Sequence, residues 1–116
     1  MPGQESPVDV AKHWLSLVDS GDYRRSWMES ASAMRNVVPS DQWATQIATV
    51  RGQLGSVTSR TVAVEQRFTE LPNAPPGEYD VIQFHSVFGG TSAVTETVTP
   101  MRDIDGQWRV SGYFIR

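Results

Sequence analysis

Residues 92–116 read SAVTETVTPMRDIDGQWRVSGYFIR. On either side of D-I-D-G, valine, threonine and aromatic residues recur at period two, the pattern of two strands joined by a tight turn. A three-residue hairpin loop of Ile104, Asp105 and Gly106, with Gly106 in the left-handed position, sets Asp103 opposite Gln107. Val98 then faces Gly112, and Glu96 faces Phe114. A second three-residue loop of Gly89, Gly90 and Thr91 pairs Phe88 with Ser92, Phe84 with Glu96 and Ile82 with Val98. A slip of one residue would exchange the two faces of a strand, so parity carries the prediction. The even-numbered face collects Val62, Val64, Phe68, Ile82, Phe84, Phe88, Val94, Val98, Trp108, Val110 and Phe114. The odd-numbered face carries Tyr79, Val81, Gln83, His85, Thr95, Thr97, Thr99, Met101, Arg109, Tyr113 and Ile115, and is mixed rather than polar.

Working outward, four strands are expected over residues 57–69, 78–88, 92–102 and 107–115. LPNAPPG, residues 71–77, is too rich in proline to be other than a loop. Before residue 57 the period is helical. Ser6, Pro7 and Asp9 form a helix start, and Ala11, Trp14, Leu15 and Val18 follow on one face. Gly21 ends this helix and Asp22 caps the next, whose stripe is Tyr23, Trp27, Ala31 and Met34. Ser40 caps a third, with Trp43, Ile47, Val50 and Leu54 in line, and Gly55 ends it. Helices first and strands afterwards means α+β: three helices on one face of a four-stranded antiparallel meander. A chain of 116 residues suits one domain, with residues 1–5 expected to be a disordered start.

Composition removes several function classes. The net charge is −3 and Lys12 is the single lysine, which argues against nucleic acid as a partner, because phosphate binding needs clustered cations; Arg24 and Arg25 alone make no patch. With no cysteine there is neither a disulfide nor a thiolate site. No run approaches membrane-spanning length, and MPGQESP has neither the basic nor the apolar region of a signal peptide. D-I-D-G fails as a calcium loop, since the glycine is fourth rather than sixth and Phe114 stands where a glutamate is needed. His13 and His85 lie on different elements at no ligand spacing, so no metal or cofactor is expected. Gly89 and Gly90 belong to a hairpin rather than a phosphate cradle, and no G-x-S-x-G is present.

Glu96 is the anomaly. The register sets a carboxylate between Phe84 and Phe114, where an unpaired charge is costly. It is the single catalytic candidate, as an acid or base of raised pKa in a pocket between sheet and helices. Its structural alternative is a buried acid tied by Arg35, Arg51 or Arg60. Glu96, Trp108 and Phe84 are the candidate ligand-contacting residues. The four tryptophans, Trp14, Trp27, Trp43 and Trp108, fall on buried stripes and are expected in the core.

The stretches LPNAPPGEY, ETVT (residues 96–99), DGQWRVSGYFIR and RGQLGSVTSR, with the pattern W-x-x-x-V-D-x-G-D-Y-x-x-S-W, together resemble the bacterial domain of unknown function 4019 family. The resemblance implies a small α+β domain, similar to the cystatin-like and nuclear transport factor 2-like class, exported behind a signal peptide to the periplasm or medium. It assigns no activity. Two functions are therefore expected in competition: a non-enzymatic binding or interaction module that pairs as a homodimer through the outer sheet face, or a small-molecule pocket or enzyme built around Glu96. The partner, protein or small molecule, is not specified by the residues.

Overall fold

The computed structural model describes residues 5–89 and 92–116. Four helices, α1 (Pro7–Asp19), α2 (Tyr23–Met28), α3 (Ser32–Val37) and α4 (Ser40–Leu54), precede four strands, β1 (Val57–Phe68), β2 (Tyr79–Phe88), β3 (Ser92–Arg102) and β4 (Trp108–Ile115). The strands form one antiparallel sheet in the order β1-β2-β3-β4, the α+β meander expected.

The start of α1 follows its sequence, with the Asp9 N–H donating to Ser6 Oγ at 3.1 Å and Pro7 filling the first helical position, where no N–H is needed. At its far end Gly21 adopts a φ of +80°. The Gly21 and Asp22 N–H groups turn back to the Val18 and Leu17 carbonyls at 3.0 and 2.9 Å, closing the helix as glycine permits.

The single helix expected from Tyr23 to Met34 is two. Its ladder is interrupted because the Ala31 N–H donates to the Val110 carbonyl on β4 at 2.7 Å. The restart is capped from far along the chain, with the Asp103 carboxylate accepting from the Ser32 N–H at 2.9 Å and the Ser32 hydroxyl at 2.6 Å. Asp22 holds the N-cap position of α2 without a side-chain bond. Ser40 is not a cap but the first residue of α4, behind Pro39. Strand ends differ by one residue: β1 stops at Phe68, β2 starts at Tyr79 and β4 at Trp108.

The expected β2–β3 register is the observed one, with Phe84 opposite Glu96, Ile82 opposite Val98 and Phe88 opposite Ser92. Residues 90 and 91 of the proposed loop, and 1–4 of the proposed disordered start, lie outside the described residues. At the next hairpin Gly106 has a φ of +83° and the Asp103 N–H reaches the Gln107 carbonyl at 2.8 Å, again as expected.

Three register shifts overturn parity elsewhere, at Val57/Ser59 and Val62/Val64 in the β1–β2 pair and at Thr99/Pro100 in the β3–β4 pair. Thr99 pairs with Gly112 but Pro100 with Val110, leaving Ser111 as an extra residue in β4. Pro100 has no N–H for the ladder of a central strand, which is why proline there goes with a bulge; the Ser111 hydroxyl donates to the Thr99 carbonyl at 2.9 Å instead. Beyond this point the faces exchange. Glu96 is opposite Ile115 rather than Phe114, and Val98 is opposite Tyr113 rather than Gly112. Tyr113 packs on the helical layer, its ring 5.2 Å from that of Trp14, and Phe114 is 51% exposed.

In β1 the register shifts between Val62 and Val64, so Val64 and Phe68 pair with Gln83 and Tyr79 on the outer face instead of entering the core. Val62 keeps the expected face, yet it is 39% exposed. The helices pack chiefly on β2, β3 and β4, and reach β1 through Arg60, whose guanidinium meets Asp19 at the end of α1. The inner positions of β1 are largely charged, Arg60, Glu65 and Arg67, and give a helix little to bury against.

The core lies between α1, α4 and the three covered strands, around Trp14, Leu15, Val18, Ile47, Ile82, Phe84, Val98 and Val110. Trp14, Trp43 and Trp108 are buried and Trp27 packs at the core's margin. No helix among the described residues is long and apolar enough to cross a membrane.

Candidate functional site

Glu96 is fully buried and both of its carboxylate oxygens are hydrogen-bonded. Its Oε1 accepts from Arg60 Nε at 2.7 Å and from the Ser86 hydroxyl at 2.6 Å, and its Oε2 accepts from the Tyr113 hydroxyl. The placement follows from strand parity: Arg60 on β1 is opposite Ser86 on β2, and Ser86 and Glu96 share the inner face. The Ser111 bulge brings the fourth member, Tyr113, to that face.

The network extends to the helices. Arg60 Nη1 and Nη2 donate to the Asp19 carboxylate at 2.7 and 3.0 Å. Arg51 Nη2 donates to Asp19 Oδ1 at 2.7 Å. Asp19 is the last residue of α1 and Arg51 sits in the last turn of α4, so two helix ends and two strands meet in one chain of opposite charges. Two acids stand against two guanidiniums, and the cluster is neutral. Burial works to raise the Asp19 pKa, but the hydrogen bonds and charges of Arg60 and Arg51 outweigh it and hold the carboxyl below its ordinary value. Burial likewise opposes the charge on Arg60, and the two carboxylates reverse that, so its pKa is raised. Burial, and then the Glu96 charge, push the Tyr113 phenol far up, keeping it a neutral donor. Among the described residues Arg51 Nε and Nη1 meet no acceptor, and its guanidinium lies 4.8 Å above the Phe88 ring.

Such an arrangement clamps sheet to helices. For proton transfer the Glu96 carboxylate would have to leave an ion pair and two hydroxyl donors. Glu96 lines neither of two recesses between helices and sheet. One, of about 330 Å³, is bounded by His13, Trp14, Glu29, Trp108 and Arg109. The other, about 300 Å³, is an apolar groove of Trp43, Ile47, Val50, Tyr113, Phe114 and Ile115.

Of the three candidate contact residues, Phe84 is Glu96's cross-strand neighbour and wholly in the core. Trp108 is elsewhere, opposite Arg102 at the other end of the sheet, with the Arg67 and Arg102 guanidiniums 4.8 and 5.0 Å from its ring. Arg35 does not reach Glu96; its Nε donates to the Ser30 carbonyl. His13 pairs with Glu29 at 2.9 Å, and His85 is exposed on β2. No group of three or more metal-ligating side chains occurs among the described residues.

A second buried acid carries the same sequence signal as Glu96. Asp80 occupies an even position of β2, two before Ile82, and is fully buried. Neither oxygen receives a hydrogen bond among the described residues; Arg67 Nε lies 3.4 Å away. Burial and the adjoining Glu65 carboxyl raise its pKa to about 7.

Residues 10–113 match the family model for a protein of unknown function, DUF4019. The chain belongs to the DUF4019 family. The match spans α1 to the Tyr113 contact, so the whole Glu96 network of this DUF4019 domain lies inside it. No curated protein and no solved structure matches this chain.

Proposed function

We propose that this DUF4019 domain is a non-enzymatic interaction module that self-associates through its sheet. The observation carrying this reading is the contrast between its two polar assets. The interior carboxylate with the best catalytic claim, Glu96, is held by Arg60, Ser86 and Tyr113, whereas the sheet is left partly open: the helices pack chiefly on β2, β3 and β4, and β1 is exposed along most of its length. The outer face is less apolar than parity suggested, since Tyr113 has turned inward with Ile115 and Tyr79 is buried with its hydroxyl on the Pro75 carbonyl. Phe114 and Val64 take their place there. Exposed apolar groups on an uncovered sheet support association more than turnover.

Export to the periplasm or medium, and membership of the cystatin-like or nuclear transport factor 2-like class, belong to the same proposal; the class draws support from the two-layer form of helices on one face of an antiparallel sheet. Sedimentation equilibrium from about 1 to 200 μM, the range in which modest interfaces assemble, tests the central claim. A dimer is expected; a monomer at every concentration removes the reading.

A further inference from the structure

The outer side of β4, an edge strand of the sheet, is closed at one end and open at the other. At Val110 the carbonyl is taken by the Ala31 N–H. Past the Ser111 bulge, Arg116 and Thr95 exchange both backbone bonds, at 3.0 and 2.7 Å. Antiparallel partners alternate between bonded and non-bonded pairs, so Phe114 and Gly112 also bond toward β3, and the N–H and carbonyl groups of Tyr113 and Ile115 point away from it. Among the described residues nothing bonds to these four groups. They open onto the apolar groove of about 300 Å³ that Trp43, Ile47 and Val50 of α4 form with Tyr113, Phe114 and Ile115. Successive side chains of a strand leave by opposite faces, so three consecutive residues line one recess only where it runs along the strand's edge.

We infer that this groove takes a short extended peptide of another protein, which adds a fifth strand beside β4 and sets two alternate apolar side chains under α4. The size of the site selects such an occupant. A stable contact between two folded proteins needs about 800 Å² and 20–30 residues on each side, whereas seven residues line this groove. A second copy is shut out by α4 itself. Joining two β4 edges about an axis normal to the sheet keeps both helical layers on one side, and each α4, which flanks the edge, would stand where the other copy's strand must lie. A bare peptide carries no such layer. In an antiparallel match one peptide residue bonds Tyr113 through both of its main-chain groups, and the residue two before it bonds Ile115 in the same way. The side chains of both fall on the inner face, toward Trp43, Ile47 and Val50, while the one between them lies beside Phe114 on the outer face. The recognised core is therefore apolar, any residue, apolar: main-chain bonds supply the affinity, and the groove chooses the alternate side chains. Val50, 42% exposed, stands at the mouth above the buried Trp43 and Ile47. The site goes beyond self-association and does not depend on it.

The test is a titration of the nitrogen-15-labelled domain. The probes are blocked six-residue peptides carrying leucine, valine or phenylalanine in every combination at the third and fifth positions and serine elsewhere, taken to about 2 mM, where weak binding is still measurable. At least one is expected to bind saturably, to shift the Tyr113 and Ile115 amide resonances most and to slow their exchange. N-methylating the two apolar residues of that peptide removes its main-chain donors and leaves the protein untouched; Val50→Glu puts a charge at the mouth of the groove. Each is expected to weaken binding at least tenfold, and Val64→Lys, on the opposite edge of the sheet, to leave it within about twofold. No saturable binding by any peptide overturns the proposal. So does binding indifferent to N-methylation and to Val50→Glu, or binding lost with Val64→Lys, which moves the peptide to β1. Protection of the Tyr113 and Ile115 amides that rises with protein concentration in the absence of peptide means that a second copy fills the groove, and overturns it as well.

Discussion

Arg60 on β1 and Glu96 on β3 are joined across β2, Nε to Oε1 at 2.7 Å, on a side of the sheet where Glu96 has no exposure to water. Removing Glu96 leaves Arg60 its Asp19 pair but takes the acceptor from Nε and gives the neutral cluster an uncompensated positive charge. Glu96→Leu is expected to cost about 3–5 kcal/mol in urea unfolding, the usual penalty for an orphaned buried charge. The double variant Arg60→Met with Glu96→Leu leaves the Asp19–Arg51 pair intact and should recover about 2 kcal/mol or more of that loss. Additive losses would show that the two side chains act independently.

Tyr113→Phe removes the hydroxyl from Glu96 Oε2 and leaves the ring against Trp14. A cost of about 1–3 kcal/mol is expected, that of a buried acceptor deprived of a donor. With its pKa raised by burial and by Glu96, Tyr113 should stay un-ionised in alkaline ultraviolet titration until the fold is lost. Ionisation of all three tyrosines in the folded domain would contradict this contact.

Asp80 fixes the sign of one pH dependence. Its folded pKa, about 7, lies above the ordinary 3.8, so the folded state binds the proton more tightly than the unfolded one. The stability contributed is complete below about pH 4 and drains away as pH rises toward 7. Asp80→Asn, permanently neutral, is expected to be more stable than the parent at pH 8 by on the order of 2 kcal/mol and to flatten the slope between pH 4 and 7. Equal slopes in parent and variant would refute the raised pKa of Asp80.

Asp103 has the opposite sign. Burial opposes its charge, but bonds from the Ser32 hydroxyl and N–H and the Ile104 N–H hold its pKa below 3.8. That contribution is present at neutral pH and is lost as pH falls through the folded value. Asp103→Ala should cost about 1–2 kcal/mol, as for other lost caps, and should speed amide exchange in α3 more than in α4.

Much of this was legible in the chain. The β2–β3 register followed from loop length, and the turn at Gly106 from its composition; with parity fixed there, Glu96 had to be interior. What parity could not deliver is a change of parity. The β4 bulge had a visible sign, Pro100 within a central strand, because a residue with no N–H cannot complete the ladder. The β1 bulge at Ala63 left no such mark. The break between α2 and α3 was hidden for another reason: the groups that make it, Val110 and Asp103, are far along the chain, and local periodicity cannot see them. Asp80 was readable by the rule that found Glu96.

The indole of Trp14 stands 5.7 Å from that of Trp43 and 5.2 Å from the Tyr113 ring, while both indole N–H groups end on the Ser26–Ser30 pair. Two helices and the last strand thus bring their chromophores together at a single point, and transitions of rings so close couple optically. Near-ultraviolet circular dichroism therefore follows the seating of α1 and α4 on the sheet, separately from backbone content, and needs no added label to do so.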